Sequence, residues 1–341
     1  MQSFASDYLQ GCHPRILEKL QETNLDKHPG YGQDDYCKSA KEKICLACQT
    51  PDAQVSFLVG GTQTNETVIA ALLRTWQGVL AAETGHIAVH EAGAVEYTGH
   101  KVLPLRQKEG KISASDVEQY ICDYQNDENH EHMVEPGMVY ISHPTEYGTL
   151  YSKAELEELH SVCHKHHIPL FLDGARLGYG LMAKGTDVSL PVIARNTEVF
   201  YIGGTKVGAL FGEAVVIPNP GTVNHFFTTI KQHGALLAKG WLLGVQFDTL
   251  FTDNLYFNIS KNAIDRAGEL VSSLEDKEYR FYLKTPTNQQ FVIIENDKLA
   301  LLEQKVQVGF WARYDDSHTV VRFATSWATT KEDVDALRKL L

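Results

Sequence analysis

Two polar residues stand at the ends of short apolar segments and could act together on a bound cofactor. Lys206 follows the apolar residues 199–203 within Gly-Gly-Thr-Lys, and Asp173 ends the apolar residues 168–172. A lysine amine forms a Schiff base with an aldehyde once its proton is removed, and small neighbours leave room for a flat ring. A carboxylate beside a pyridine nitrogen keeps that ring protonated and electron-withdrawing. The pairing therefore predicts a pyridoxal phosphate site, although either residue alone is more often a surface charge or part of a turn.

A glycine-containing segment could hold a phosphate group. Residues 57–67 pass from an apolar strand through Gly60 and Gly61 into a predicted helix, with Thr62 at its start. Glycines let backbone amides approach anionic oxygens, and a helix amino terminus adds partial positive charge. The spacing fits neither a nucleoside triphosphate loop nor a dinucleotide fingerprint. A threonine that only caps the helix, Thr62 or Thr64, is the competing interpretation.

Composition and charge argue against several classes of protein. The chain has 341 residues, 43% hydrophobic and 22% charged, which predicts a globular protein of two domains. Its net charge of −12 argues against a nucleic-acid or anionic-membrane partner. The first residues lack a basic start, and no apolar run approaches bilayer length, so we expect a cytoplasmic location. The six cysteines are too few for a disulfide framework.

Cysteines and histidines offer a non-enzymatic alternative. Cys45 and Cys48 have a spacing found in zinc sites, but no second such pair accompanies them. His160 and His164 lie four apart on a predicted helix, residues 153–167, and would share one face. The apolar residues of that helix predict that most of its histidines face water. We therefore expect no metal, and a zinc-binding or scaffold protein without a chromophore is the alternative.

Helical and strand patterns alternate along the chain, which predicts an α/β fold with a layered sheet. We predict strands at 138–142, 169–173, 199–203 and 214–218, and a helix at 65–77. From about residue 244 the pattern changes to a long helix through 274, strands at 290–295 and 319–325, and a final helix from 331. The predicted domains are a cofactor-binding large domain, 1–243, and a smaller C-terminal α+β domain, 244–341. Residues 126–135 are predicted to form an exposed loop.

Several segments in order resemble the fold-type I pyridoxal phosphate enzymes, and among them the low-specificity threonine aldolases and phenylserine aldolases. The matching segments are Ser6-Asp7, Tyr31-Gly32-Gln33-Asp34, Gly61-Thr62-Gln63-Thr64-Asn65, His86 with Glu91-Ala92-Gly93, Asp173-Gly174-Ala175-Arg176, Lys206, Lys231-Gln232-His233-Gly234 and Val321-Arg322. This resemblance implies a mostly parallel seven-stranded sheet between helices in the large domain. It also implies a homodimer or homotetramer with active sites between subunits.

The resemblance also implies residue roles. The implied cofactor-binding set consists of Gly61, Thr62, His86, Asp173, Arg176, Lys206 and, reaching a neighbouring subunit, Lys231. Ser6, Arg176 and Arg322 would hold the substrate carboxylate. The implied catalytic residues are Lys206, Asp173, His86 and a loop histidine near the substrate hydroxyl, for which His132 or else His130 is the candidate.

The activity implied by the resemblance is cleavage of β-hydroxy-α-amino acids to glycine and an aldehyde. L-threonine, allo-threonine and phenylserine are the expected small-molecule substrates. The segment Gly-Gly-Thr-Lys-Val-Gly departs from the Ser-Lys-Gly-Leu-Gly of well-known threonine aldolases and is closer to the phenylserine-acting branch. Another pyridoxal phosphate lyase that eliminates a β-substituent, or an aminotransferase, would share the cofactor residues, and product analysis would separate these alternatives.

Overall fold

The computed structural model describes residues 1–341 as thirteen strands and fourteen α-helices. The strands are β1 (Gln2–Ser3), β2 (Gln54–Leu58), β3 (Gln77–Ala82), β4 (Lys101–Leu105), β5 (Glu135–Ser142), β6 (Leu170–Asp173), β7 (Val199–Gly203), β8 (Glu213–Ile217), β9 (Arg280–Leu283), β10 (Gln289–Glu295), β11 (Val306–Gln307), β12 (Gly309–Arg313) and β13 (His318–Ala324). The helices are α1 (Pro14–Thr23), α2 (Asp35–Cys48), α3 (Gly61–Leu72), α4 (His86–Val89), α5 (Ala94–Tyr97), α6 (Ala114–Asn126), α7 (Lys153–Lys165), α8 (Leu177–Leu181), α9 (Leu190–Asn196), α10 (Phe226–Gln232), α11 (Trp241–Leu250), α12 (Leu255–Asp276), α13 (Asn296–Glu303) and α14 (Lys331–Leu340).

A seven-stranded sheet of order β2-β8-β7-β6-β5-β3-β4 forms the centre of the large domain. Strands β4, β3, β5, β6 and β7 are parallel, and β8 runs antiparallel to both β7 and β2. Every residue of β6 and β7 is buried, as expected for parallel strands covered by helices on both faces. The predicted α/β fold with a mostly parallel sheet is confirmed.

Alternate residues of the central strands enter hydrophobic cores on opposite faces of the sheet. Leu170 and Leu172 belong to the larger core, whereas Phe171, Val199 and Tyr201 belong to the other. Burial of each such side chain is worth about 1.5–3 kcal/mol relative to exposure. This two-sided packing holds the strands firmly, so residues just beyond the strand ends start from fixed positions.

The carboxyl ends of the parallel strands meet at one edge of the sheet. Asp173 ends β6 and pairs in register with Ser142, the last residue of β5. His86 and Lys206 follow β3 and β7 after short connections. Parallel α/β sheets bind ligands outside this edge.

The smaller sheet has the order β12-β13-β10-β9 and is antiparallel throughout. Its core contains Leu270 of α12 and Leu337 of α14. Phe4 is buried in the same core, and β1 pairs with β11. The N-terminal segment is therefore anchored on the small sheet before the chain continues to residues 6–8.

Two helix predictions differ from the structure. The long helix predicted over 244–274 is interrupted between α11 and α12, where Asp253 and Asn254 adopt left-handed backbone with φ of 53° and 57°. Helix α11 packs against α1 and α2 of the large domain. The domain boundary at 243/244 falls inside α11 and stays a prediction. The helix predicted at 65–77 spans Gly61–Leu72, because Leu73 is already extended.

Residues 130–132 form a short 3-10 helix with no buried residue, within the predicted exposed loop. None of the helices combines the length and apolar character needed to cross a bilayer.

Candidate active site

Lys206 presents an unpaired amine at the end of β7. Glu213 holds the preceding turn, accepting hydrogen bonds from the Thr205 hydroxyl at 2.8 Å and the Gly204 amide at 3.2 Å. The Lys206 Nζ forms no hydrogen bond or ion pair, and it lies 5.9 Å from the ring centre of Tyr8. Burial and the nearby Arg176 guanidinium lower the pKa of Lys206. A lowered pKa favours the neutral, nucleophilic amine.

Asp173 is buried and held by four donors. Its Oδ2 accepts from the Tyr140 hydroxyl at 2.6 Å and the Asn65 amide at 3.0 Å, and Oδ1 accepts from the Ala175 backbone N–H at 2.9 Å and from the Tyr201 hydroxyl. Burial by itself raises the pKa of this carboxyl, but the nearby His86 and the two tyrosine hydroxyls lower it below its usual value. These partners therefore favour the ionised form of Asp173 in spite of its burial.

His86 is tied to Asp173 through a short polar chain. Its Nδ1 lies 2.7 Å from Glu91 Oε1, and the Asn65 side-chain amide donates to both Glu91 Oε1, at 2.7 Å, and Asp173 Oδ2. Burial lowers the pKa of His86, but the Glu91 hydrogen bond and the Asp173 charge outweigh it, so the net shift is upward. Because Nδ1 is occupied by Glu91, Nε2 is the free nitrogen of the ring.

One cavity of about 540 Å³ brings several predicted residues together. It is lined by Tyr8, His86, His90, Glu146, Arg176, Lys206, Phe310, Trp311 and Arg322. The cavity thus combines strand-end residues of the large domain with β12 and β13 of the small sheet. A larger cavity of about 800 Å³ lies beside α2 and contains none of the predicted site residues. The smaller cavity is therefore the candidate active site.

Two arginines give the cavity local positive charge in an acidic protein. Arg176 is held by Asp7, which accepts from Nε at 2.7 Å and from Nη2 at 2.9 Å, so Nη1 remains free. Arg322 donates to the Ala5 carbonyl at 2.9 Å and the Gln289 side chain at 3.1 Å, and its Nε has no partner. The buried Ser6 hydroxyl is also unpaired. These unpaired donors suit a carboxylate ligand.

Helix α3 begins at Gly61 without a side-chain cap. Its first-turn amides are therefore left without a capping acceptor. Thr62 is exposed, and the buried Thr64 hydroxyl has no partner. The alternative that Thr62 or Thr64 merely caps this helix is wrong, because the N-cap position is occupied by Gly60 and neither hydroxyl makes the bond.

His132 and His130 do not line this cavity in their own chain. Both residues precede β5, whereas the cavity lies beyond the carboxyl end of that strand. The eight residues of β5 separate the two ends by roughly 20–25 Å. His130 and His132, which precede β5, therefore lie at the edge of the sheet opposite to the cavity.

Glu146 is one of five cavity residues that the sequence interpretation missed. It follows β5 within Pro144-Thr145-Glu146, and it lines the cavity with Lys206. The signal was available, because an acidic residue soon after a buried strand is the same feature that identified Asp173. Tyr8, His90, Phe310 and Trp311 also line the cavity and were also missed.

Lys231 does not line this cavity. It is exposed on α10, where its Nζ lies 4.8 Å from the ring centre of Tyr31, which is also exposed. Neither Cys45 nor Cys48 belongs to the cluster of possible metal ligands in the structure, which is Glu118, Cys122 and His166. Lys165 already pairs with Glu118 at 2.6 Å in that cluster.

The fold and the strand-end lysine and aspartate define the class of fold-type I pyridoxal phosphate enzymes. A solved threonine aldolase structure from Leishmania major superposes with a TM-score of 0.95 at 42% identity, covering 100% of this chain and 99% of that chain. The chain belongs to the beta-eliminating lyase family, whose family model matches residues 3–296.

Curated relatives agree with this assignment. A low specificity L-threonine aldolase of Pseudomonas aeruginosa is 26% identical over 99% of this chain and 96% of its own length. A Thermus thermophilus aspartate aminotransferase at 15% identity and a TM-score of 0.73 shows the shared fold alone. The predicted resemblance to threonine aldolases is confirmed, and so is the assignment as a lyase. Enzymes of this family depend in general on pyridoxal phosphate.

Proposed function

We propose that this protein binds pyridoxal 5'-phosphate at Lys206 and cleaves β-hydroxy-α-amino acids to glycine and an aldehyde. The observation that carries the proposal is the unpaired Lys206 amine sharing one cavity with Arg176 and Arg322. A lysine can bind the cofactor, and two guanidiniums can bind the carboxylate of an amino acid. L-threonine, allo-threonine and phenylserine are the expected substrates.

The residues present fit this cofactor. Lys206 supplies the amine, the uncapped start of α3 at Gly61 and Thr62 suits a phosphate, and the orphaned Thr64 hydroxyl lies in the same first turn. Asp173 would accept from a ring nitrogen, with one of its four present donors giving way, since a carboxylate has about four acceptor positions. When bound, the cofactor supplies an electron sink for the breaking bond at Cα.

Hydrogen bonds hold the His86 ring in a fixed orientation at the site. Glu91 fixes the His86 ring through Nδ1, and Asn65 connects Glu91 to Asp173. We assign His86 to contact with the cofactor ring. The connection makes the orientation of the histidine and the position of the aspartate depend on each other.

The substrate carboxylate has a matched set of donors. Arg176 offers its free Nη1, Arg322 its unpaired Nε, and Ser6 its unpaired hydroxyl. A carboxylate held at fixed positions leaves the other bonds at Cα in defined directions, and this orientation decides which bond breaks. Arg176 thereby serves both the cofactor site and the substrate.

A second copy of the chain would complete the site. Lys231 and Tyr31 are exposed together and away from the Lys206 cavity of their own chain. We assign Lys231 to the cofactor phosphate of a neighbouring subunit, in a homodimer or homotetramer. A cation beside the phosphate would strengthen cofactor retention.

The test is product analysis with the purified protein and pyridoxal phosphate. We expect equal amounts of glycine and aldehyde from L-threonine, allo-threonine or phenylserine. Lys206→Ala should abolish both products and the visible absorbance of the lysine–cofactor Schiff base, while the exposed control Lys184→Ala should retain them. A keto acid with ammonia would indicate β-elimination, and a requirement for an added keto acid would indicate transamination; either result would overturn the proposal.

A further inference from the structure

Glu146 is the one carboxyl group among the residues that line the cavity. The segment after β5 brings it beside His86, and it lines the cavity together with Lys206 and Arg176. Nothing in the cofactor or carboxylate assignments above uses this side chain. An acidic group in a cavity otherwise rich in positive charge requires a separate explanation.

The two oxygens of Glu146 have different surroundings. Oε1 accepts from the His86 backbone N–H at 2.9 Å and from the Ser142 hydroxyl at 2.7 Å. Oε2 makes no hydrogen bond to the protein, and it is not fully buried. One oxygen therefore fixes the group in place, while the other is accessible from the cavity as an acceptor.

Resting on the proposed function, we propose that Glu146 is the catalytic residue that accepts the proton of the substrate β-hydroxyl. The O–H bond breaks and the proton passes to Glu146 Oε2. The oxygen then forms the aldehyde C=O with Cβ as the Cα–Cβ bond breaks. The electron pair of that bond stays with Cα, which takes a proton from solvent to give glycine. Glu146 returns the hydroxyl proton to solvent, so atoms and charge balance.

Neither His86 nor His132 fits this role as well. Glu91 and Asp173 raise the pKa of His86, so a larger share of this ring already carries a second proton and cannot accept another. His132 lies beyond the opposite end of β5. Burial raises the pKa of Glu146 toward the range that suits a general base, although the Ser142 hydrogen bond opposes part of this shift.

The test compares wild type with Glu146→Gln as holoenzymes. Glutamine keeps an acceptor for His86 N–H and Ser142 while removing the basic oxygen, so the fold should persist. We expect cleavage of phenylserine and threonine, measured as kcat/KM, to fall by about 100-fold or more. Glycine has no β-hydroxyl, so deuterium exchange at its α carbon and its dissociation constant by calorimetry should stay within about threefold of wild type.

Two further variants sharpen the result. Glu83→Gln changes an exposed carboxyl after the neighbouring strand β3 and should behave as wild type. Glu146→Asp retains a base but shortens its reach by about 1.5 Å, one bond length, and should cleave at a rate between those of wild type and Glu146→Gln.

The inference would be overturned if Glu146→Gln cleaved within about threefold of wild type, or if glycine binding and exchange fell in parallel with cleavage. A third outcome is that His90→Asn, and not Glu146→Gln, loses cleavage but retains exchange at the glycine α carbon. His90 would then be the residue that accepts the β-hydroxyl proton. A wild-type protein that releases no glycine from any β-hydroxy amino acid would instead refute the proposed function.

Discussion

Removal of the Asp7 carboxylate should destabilise the fold far more than removal of a similar exposed carboxylate. Asp7 has no exposed side-chain surface and makes two short bonds to Arg176, whose side chain is 13% exposed. It also accepts from the Asn288 amide at 2.9 Å. Breaking one partner of such a buried pair costs about 3–5 kcal/mol, because the remaining guanidinium is left without its counter-charge.

The assay is urea unfolding of wild type and Asp7→Asn, followed by circular dichroism. The control is Asp253→Asn, which breaks an ion pair with Arg15 of 2.9 Å, close to the 2.7 Å between Asp7 and Arg176. Its side chains are 74% and 42% exposed, so the expected loss is below about 1 kcal/mol. Asparagine also tolerates the left-handed backbone at position 253.

The pH dependence of the unfolding free energy tests whether the ionised Asp7 carboxylate is the cause of this stabilisation. Burial alone would raise the pKa of Asp7, but Arg176 lowers it below the ordinary value of 3.8. The stability that Asp7 contributes is therefore present above about pH 4 and is lost as the pH falls through the lower folded-state pKa. We expect a constant difference between wild type and Asp7→Asn from about pH 5 to 8, shrinking in stronger acid. A difference no larger than that of Asp253→Asn, or one that grows as the pH falls, would refute this reasoning.

Three other outcomes are expected. Lys231→Ala should weaken pyridoxal phosphate binding roughly tenfold without removing the cofactor absorbance at saturation. The exposed control Lys277→Ala should leave the affinity for the cofactor unchanged. Unchanged affinity of Lys231→Ala, measured by equilibrium dialysis, would argue against a role for Lys231 in a neighbouring subunit. Phe310 is 75% exposed and lines the cavity, so Phe310→Ala should reduce the phenylserine-to-threonine ratio of kcat/KM, by up to roughly tenfold; an unchanged ratio would exclude contact with the aryl group. Burial raises the pKa of Cys48 to about 12. A thiol reagent should therefore label the partly exposed Cys122 first, as detected by mass spectrometry. Earlier labelling of Cys48 would contradict the packing of α2.

Strand positions were predictable because continuous apolar segments report burial on both faces. The strand predicted at 199–203 coincides with β7, and those at 138–142 and 169–173 overlap β5 and β6. The break between α11 and α12 was not predictable from periodicity, since the helical pattern continues on both sides of it. Asp253 and Asn254 reverse the chain there through left-handed backbone, which their side chains permit but do not require.

The placement of the loop histidine shows a limit of motif matching. His132 and Glu146 lie fourteen positions apart in the sequence, on either side of β5. Either residue could have supplied a polar group near a strand. Only the direction of the strand relative to β6 decides which of them reaches the cavity.

The sequence by itself determined the chemistry of the amine and of its acidic partner, because a lysine among small residues and an aspartate at an apolar strand end are local features. It also determined the family, whose motifs occur in order along most of the chain. Tertiary structure alone decided that Asp7 holds Arg176, 169 positions away, and that Asn65 joins Glu91 to Asp173. Such contacts depend on how distant segments pack against one sheet edge. Residue type and periodicity are local properties, so they do not show which distant residues come into contact.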